Sequence, residues 1–305
     1  MKKIISIIAL AVIAFTFVGC ESLNRYEYVE GKVNIVTTTT MLGDLAKEIG
    51  GDDVSITTLM GVGVDPHSYK PRPSDTNALS RADLIIINGL HLEAKLGDVL
   101  ESSQSDKLLI IGDFIPKGEL LQDEDNVVDP HIWFDVENWK LAAKALADKL
   151  ISLDNANSKA YQARVDEYLI KLDELNSYVI NKVMELPKEK RILITAHDAF
   201  QYFANAYGFE VYSIQGISTE TEPSAKDIQD LANLTVRLDV KAIFVESSIP
   251  ENTINSVINA ARVQGHDVKV GGELFSDSLG SESDGADTYI KMVQKNTDMI
   301  VNGLK

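Results

Sequence analysis

Three of the five histidines in this chain of 305 residues stand in short phrases beside a proline or an acidic residue. His67 and His131 each end an Asp-Pro-His triplet, and His197 stands between an alanine and an aspartate. The proline restricts the backbone, and the acid offers the imidazole a polar neighbour. Histidines placed in this way are candidate ligands of a metal ion.

A fourth candidate ligand, Asp277, lies in the late phrase GGELFSDSLG. Three imidazoles and one carboxylate suit a divalent transition metal such as zinc or manganese. Taken singly, these residues have plainer roles: a loop histidine, a helix cap at His197, a turn at Asp277. Because the triplet occurs twice, a shared metal site is the better hypothesis.

The positions of these residues along the predicted elements support that hypothesis. His67 lies in a turn-rich stretch after a predicted strand, and His197 follows the apolar run 191–196. Loops beyond the carboxyl ends of parallel strands are where α/β folds bind ligands. Glu246, after the run 242–245, could support such a site by contacting a ligand; the alternative is a carboxylate facing water. For His91 and His266, both in polar turns, we expect a solvated surface role.

Short β-rich runs alternate with amphipathic stretches on both sides of the middle of the chain. The predicted strands are Val33–Thr37, Ser55–Leu59, Leu84–Asn88, Leu108–Ile111, Ile192–Thr195, Glu210–Ile214, Ala242–Val245 and Val268–Val270. The predicted helices are Leu42–Ile49, Asp75–Ala82, Leu92–Ser102, Phe200–Tyr207, Ala225–Leu238, Thr253–Gln264 and Asp287–Val301. This alternation predicts an α/β fold with two lobes, each a mainly parallel β-sheet flanked by helices.

One long helix is predicted between the lobes, from about Asn155 to Pro187. Its apolar positions are three or four residues apart, as on one face of a helix: Tyr161, Val165, Tyr168, Leu172, Leu175, Val179, Val183 and Leu186. A coiled-coil dimerisation helix is the alternative. The predicted organisation is a first lobe over 33–153, a backbone helix over 154–187 that joins the lobes, and a second lobe over 188–305.

The first residues read as an export signal. Lys2 and Lys3 precede an apolar run to Val18, too short for a comfortable membrane span, and Gly19-Cys20 follows. This predicts a lipoprotein signal peptide over 1–19, lipidation of Cys20 and a tether over 20–32; an ordinary signal peptide with an incidental cysteine is the alternative. Cys20 is the only cysteine, so neither a disulfide framework nor a thiolate metal site is possible.

The charge of the chain excludes some partners. Without residues 1–19, 27 basic and 46 acidic residues remain, a formal charge of −19. A chain with this excess of acids does not suit nucleic acid or an anionic membrane surface, and it favours the approach of cations. Solubility alone would also account for the charge.

Six phrases together resemble the metal-binding solute-binding lipoproteins of bacterial ABC importers, which take up zinc and manganese: TTTTMLGDLAKEIGGD, GVGVDPHSYKPRPSD, ADLIIINGLHLEAKL, DPHIWFD, AHDAFQYFANAYGF and GGELFSDSLG. The resemblance implies two lobes on a long helix that clasp one ion. It maps the ligands of that family onto His67 and His131 from the first lobe and His197 and Asp277 from the second. It also implies a monomer that is lipid-anchored on the outer face of the cell membrane and works with an ABC permease and its ATPase.

The choice of metal follows from the third ligand. Manganese-preferring relatives commonly carry glutamate there, whereas this chain has His197, and a nitrogen-rich site suits zinc. The acidic stretch 117–126 has no histidine, unlike the loop of many zinc-dedicated relatives. We therefore expect zinc binding in vitro and leave the cargo in the cell open between zinc and manganese. The alternatives are a secreted zinc hydrolase and, as a secondary role, a surface adhesin.

Overall fold

The computed structural model describes residues 26–102, 105–123 and 125–305. The predicted signal peptide, Cys20 and the first part of the predicted tether lie outside the described residues. Within the described ranges, none of the helices has the length and apolar character needed to cross a bilayer.

The first lobe is built on one parallel sheet with the strand order β2-β1-β3-β4. Its strands are β1 (Val33–Thr37), β2 (Val54–Thr58), β3 (Leu84–Ile87) and β4 (Leu108–Ile110), with helices α1 (Thr40–Gly50), α2 (Pro73–Arg81) and α3 (Ala94–Ser102). Each begins and ends within two residues of its predicted bounds. The central strand β3 reads Leu-Ile-Ile-Ile and is buried throughout, as expected of a parallel strand covered on both faces.

The second lobe also consists of parallel strands with helices between them. Its strands are β5 (Ile192–Thr195), β6 (Glu210–Ser213), β7 (Ala242–Glu246) and β8 (Lys269–Leu274). Parallel ladders join β5 to β6 and β7 to β8 as two two-stranded sheets, and β5 lies close to β7. Its helices are α6 (Gln201–Tyr207), α7 (Ala225–Arg237), α8 (Asn252–Val263) and α9 (Tyr289–Leu304). The predicted fold class is therefore confirmed.

Strand β8 extends four residues beyond its predicted end. The sequence prediction stopped at Gly271 and Gly272, because glycine usually weakens a strand. Here the ring of Phe244 on β7 lies where a Cβ at Gly271 would stand, 2.7 Å from its ideal position. The ladder shifts register between Ile243 and Phe244 and then continues to Leu274.

Helix α5 (Ser158–Val183) is the predicted backbone helix, with regular geometry starting and ending a few residues inside the predicted bounds. All seven predicted apolar positions within it are buried. At about 1.5 Å per residue, its 26 residues span roughly 39 Å. It contacts α1 in the first lobe and α9 in the second. The lobe boundaries at 153 and 188 remain predictions.

One helix was not assigned from the sequence: α4 (Val136–Leu153), which packs along α5. Asp135 caps its first turn by accepting a hydrogen bond from the backbone N–H of Glu137. Its buried residues include Trp139, Leu146 and Leu150, so a helical apolar spacing was present in the sequence.

One of the apolar clusters formed by the described residues runs through both lobes and the helices between them. It includes Leu45 of the first lobe, Tyr168 of α5 and Phe203 of the second lobe. The rings of Trp139 and Tyr289 stack at its centre, with centroids 4.7 Å apart and planes 19° apart. Packing is therefore continuous from one lobe to the other through helix α5.

Candidate metal centre

The two Asp-Pro-His triplets form the same local turn. In each, the Oδ1 atom of the aspartate accepts a hydrogen bond from the backbone N–H of the histidine two residues later, at 2.9 Å. This is the turn that aspartate side chains favour, with proline between to restrict the backbone. The turns fix where the backbones of His67 and His131 stand.

The structure brings all four candidate ligands together. The Nε2 atom of His131 lies 3.3 Å from Nε2 of both His67 and His197. The two carboxylate oxygens of Asp277 lie 3.4 Å from Nε2 of His131 and 3.3 Å from Nε2 of His197. All four side chains are buried, and one donor atom from each lies within 4.8 Å of the others.

These separations match the donor spacing around a small cation. Zinc ligands stand about 2.0–2.1 Å from the ion in a tetrahedron, whose edges are then about 3.3 Å long. The Oδ1 atom of Asp277 is buried, and no N–H or O–H among the described residues donates to it with good geometry. A buried carboxylate oxygen without such a donor is stabilised by a cation, while the other oxygen of Asp277, Oδ2, accepts a hydrogen bond from the Ser248 hydroxyl at 3.2 Å. The donor set therefore fits one bound metal ion.

Two of the three imidazoles are held from behind by a carboxylate. Nδ1 of His131 lies 2.7 Å from Oδ1 of Asp129, and Nδ1 of His197 lies 2.6 Å from Oε2 of Glu246. The other oxygen of Glu246 accepts the backbone N–H groups of Ala196 and His197. The hydrogen bond to Asp129 places the proton of a neutral His131 ring on Nδ1 and leaves Nε2 free to bind a metal. The Glu246 carboxylate, 2.6 Å from Nδ1 of His197 but off hydrogen-bond geometry, favours the same tautomer there by its charge.

Burial and neighbouring carboxylates shift the pKa values of the three histidines of the cluster. Burial lowers the pKa of His131, but the Asp129 carboxylate outweighs this and raises the pKa to about 9. Burial also lowers the pKa of His197. The carboxylates of Glu246 and Asp277 have the larger, opposite effect, so this pKa lies well above its usual value. Burial lowers the pKa of His67 to about 3. A metal that binds at neutral pH therefore displaces protons from His131 and His197.

The remaining candidates lie elsewhere. The side chain of His91 is exposed, as expected. The expectation for His266 was wrong: it is buried, and its Nε2 lies 2.6 Å from the carbonyl oxygen of Val240. This contact spans 26 residues of the sequence, so the polar neighbours of His266 do not reveal it.

A buried carboxylate in the first lobe was also missed. Glu93 is fully buried and accepts hydrogen bonds from the hydroxyl of Thr38 and from the backbone N–H groups of Asn88 and Gly89. The side-chain amide of Asn88 in turn donates to the carbonyl oxygen of Pro130, next to His131. A glutamate within an apolar run just after a strand was the signal available in the sequence.

Two α/β lobes that enclose polar side chains at the carboxyl ends of their strands define a class of protein, one that binds a small ligand between the lobes. The family described as "Zinc-uptake complex component A periplasmic" (ZnuA) matches residues 35–303. The chain belongs to this family, which confirms the resemblance found in its motifs and makes it a substrate-binding protein of a transport system.

Individual relatives agree with this assignment. "Zinc-binding protein TroA" of Treponema pallidum (strain Nichols) is 43% identical over 276 residues, 90% of this chain and 90% of the relative. "Manganese-binding lipoprotein MntA" of Bacillus subtilis (strain 168) is 36% identical over 293 residues, 95% and 96% of the two chains. The solved structure of the periplasmic zinc-binding protein TroA superposes with a TM-score of 0.87, covering 90% of this chain and 99% of that one.

Proposed function

We propose that this protein captures one divalent transition metal ion between its lobes and delivers it to the permease of an ABC importer. One observation carries the proposal: four buried side chains, two from each lobe, bring their donor atoms together, and the four closest donor pairs lie 3.3–3.4 Å apart, near the edge length of a tetrahedron around one ion. Membership of the zinc-uptake family and the names of the relatives support the transport role.

The division of the donors between the lobes supplies a means of release. His67 and His131 come from the first lobe, and His197 and Asp277 come from the second. Separation of the lobes would split a site of four ligands into two sites of two ligands each. Each half would bind the ion far more weakly, because affinity depends on the number of ligands held in place.

Zinc is the cargo that the donor set favours in vitro. Three nitrogens and one carboxylate at tetrahedral spacing suit zinc, and zinc exceeds manganese in affinity for most nitrogen-containing sites. Because the relatives include one named for zinc and one named for manganese, the cargo in the cell is zinc or manganese. Elemental analysis of the protein purified from its own host would decide between them.

Substitution of a ligand tests the site. We expect His131→Ala to weaken zinc binding by more than about a hundredfold, because it removes the imidazole that contacts the other three donors. The matched control is His91→Asn, which keeps a residue that tolerates the left-handed backbone there (φ 63°). Competition titration with a chromophoric chelator measures both variants. Zinc retained by His131→Ala and lost by His91→Asn would refute the site.

Neither alternative function gains support from the site. A catalytic zinc keeps one position for water, whereas four side chains here close the tetrahedron, so we propose no enzymatic activity. An adhesin would use exposed surface, and these ligands are buried. Assays of hydrolysis by the metal-loaded chain and of binding to cells would test these two points.

The anchor and the partners belong to the same proposal. Cys20 would carry the lipid that holds a monomeric protein on the outer face of the cell membrane, beside the ABC permease and its ATPase. Two acyl chains suffice for stable anchoring. Cys20→Ser should release the protein into the soluble fraction with unchanged zinc binding. A serine variant that still sediments with membranes would contradict the lipid anchor but would leave the metal site untouched.

A further inference from the structure

We propose that Thr219 of the second lobe is a positioning residue for His67 and acts through the carboxylate of Asp65. The inference rests on the proposed function, because it assigns a role in holding the metal. It concerns how one ligand on the first lobe is fixed by a residue that follows β6 in the second.

His67 differs from the other two histidines of the cluster. His131 and His197 each have a carboxylate behind Nδ1. Among the described residues, no carboxylate lies within ion-pair distance of Nδ1 of His67. Its position is set through its backbone, whose N–H donates to Oδ1 of Asp65 at 2.9 Å.

The second oxygen of that carboxylate reaches the other lobe. Oδ2 of Asp65 accepts a hydrogen bond from the Thr219 hydroxyl at 2.6 Å and another from the hydroxyl of Ser68 at 2.8 Å. One carboxylate therefore holds the His67 backbone on one side and is held by the second lobe on the other. Hydrogen bonds to an ionised carboxylate are short and strong, and 2.6 Å is in that range.

The segment that carries Thr219 is itself tied to the neighbours of another ligand. The backbone N–H of Gln215 donates to the carbonyl oxygen of Ala196, and that of Asp198 donates to the carbonyl oxygen of Gly216. Ala196 and Asp198 flank His197 in the sequence. A continuous path of backbone and hydrogen bonds thus connects His197, through Thr219 and Asp65, to His67.

Packing does not replace this contact. A cavity of about 520 Å³ borders it, and Asp65 and Thr219 are among its lining residues, together with Ser248, Pro250 and Thr253. Because open space lies beside the contact, loss of the hydroxyl would leave the two loops free to separate there. The bond can form only when the lobes are together, so it should slow the departure of a bound ion.

The test is the rate at which zinc leaves the full chain when it is mixed with excess EDTA in a stopped-flow instrument. We expect Thr219→Val, which keeps the shape and removes the hydroxyl, to release zinc about tenfold faster than the wild type. Thr219→Ser restores the donor and should release zinc at close to the wild-type rate. Thr253→Val, at another residue that lines the same cavity, is the matched control and should behave as the wild type does.

Unfolding of the metal-free variants in urea separates positioning from general stability. We expect Thr219→Val and wild type to unfold at the same urea concentration, because the bond matters when the lobes are closed on an ion. Unchanged release by Thr219→Val, equal acceleration by Thr253→Val, or failure of Thr219→Ser to restore the rate would overturn the inference. His131→Ala, titrated in parallel, reports on the metal site itself, so failure of the site and failure of the Thr219 role give different results.

Discussion

The two lobes place different chemistry on the same backbone. In the first lobe, the hydroxyl of Thr37 donates to the carbonyl oxygen two residues later; in the second, Thr195 does the same toward His197. In each lobe the residue between these two accepts a backbone hydrogen bond from the chain just after the neighbouring strand. Thr38 accepts it from Met60, and Ala196 accepts it from Gln215. Thr39 therefore has the same position in the first lobe as His197 has in the second. Its side chain caps helix α1, whereas His197 is a candidate metal ligand.

A buried glutamate braces each lobe next to this point. Glu93 connects the end of β1 with the backbone after β3, and Glu246 connects the end of β7 with the backbone after β5. Glu246 also contacts the imidazole of His197, whereas the partners of Glu93 are a hydroxyl and backbone N–H groups. The comparison shows that one structural device serves the fold alone in one lobe and also orients a candidate ligand in the other.

The largest effect that this comparison predicts is on zinc affinity in the second lobe. Both oxygens of Glu246 are used, one by two backbone N–H groups and the other by His197, and a glutamine offers only one acceptor. Glu246→Gln should therefore misorient the imidazole and weaken zinc binding by about 10–100-fold. Chelator competition measures the affinity.

The control for that variant is Glu273→Gln, which changes an exposed carboxylate on the neighbouring strand β8. It removes the same charge from the same lobe without touching a histidine. Equal affinities for Glu246→Gln and Glu273→Gln would show that the contact with His197 does not orient a ligand.

The same substitution in the first lobe should act on folding. Glu93→Gln loses an acceptor for Thr38, Asn88 or Gly89, so it should lower the free energy of unfolding. Zinc affinity of the folded variant should stay within about threefold of wild type, because Glu93 contacts no ligand. A larger loss of affinity would mean that the brace acts on His131 through Asn88 and Pro130.

The pH dependence of unfolding sharpens this prediction. Burial raises the pKa of Glu93 above its usual value near 4.5. The folded protein therefore binds the proton of the Glu93 carboxyl group more tightly than the unfolded chain does. The stabilisation that results is complete below the pKa of the unfolded chain and is lost as the pH rises through the pKa of the folded protein. Glu93→Gln has no such proton to lose. The difference in the free energy of unfolding between wild type and variant, measured in urea, should therefore become smaller as the pH rises. A gap independent of pH would contradict it.

The smallest effect expected on the metal is at the two histidines outside the cluster. His266→Ala leaves the carbonyl oxygen of Val240 without its buried donor and should cost about 1–3 kcal/mol of stability. His91→Asn changes an exposed side chain and should cost little. Zinc titration and urea unfolding of both variants should show unchanged affinity in each; a loss of affinity in either would extend the site.

Local patterns in the sequence predicted most of the fold and all four residues of the cluster. Strand and helix bounds depend on apolar spacing, which is local, and the repeated Asp-Pro-His triplet marks its own turn. From the sequence, Glu246 could either support a ligand or face water. The choice stayed open because its partner His197 lies 49 residues away in the sequence. Asp198, the neighbour of His197 in sequence, contacts Gln201 instead of the ring.

The remaining misses have the same cause. Strand β8 continues through two glycines because side chains from other elements fill the space beside them: Phe244 of β7 beside Gly271 and Met299 of α9 beside Gly272. His266 is buried against the carbonyl oxygen of Val240, which lies 26 residues earlier in the sequence. Helix α4 is the exception, since its spacing was visible in the sequence and was not assigned.

The core shared by both lobes bears on protein engineering. Leu45, Tyr168 and Tyr289 belong to one packed cluster, although they come from the first lobe, the connecting helix and the second lobe. A lobe taken from a relative would therefore have to match the helix and the facing lobe side chain by side chain, since a mismatch of even one methylene in a close-packed interior is felt. Exchange of single metal ligands should be tolerated far better than exchange of whole lobes, so cargo preference can diverge while the scaffold stays intact.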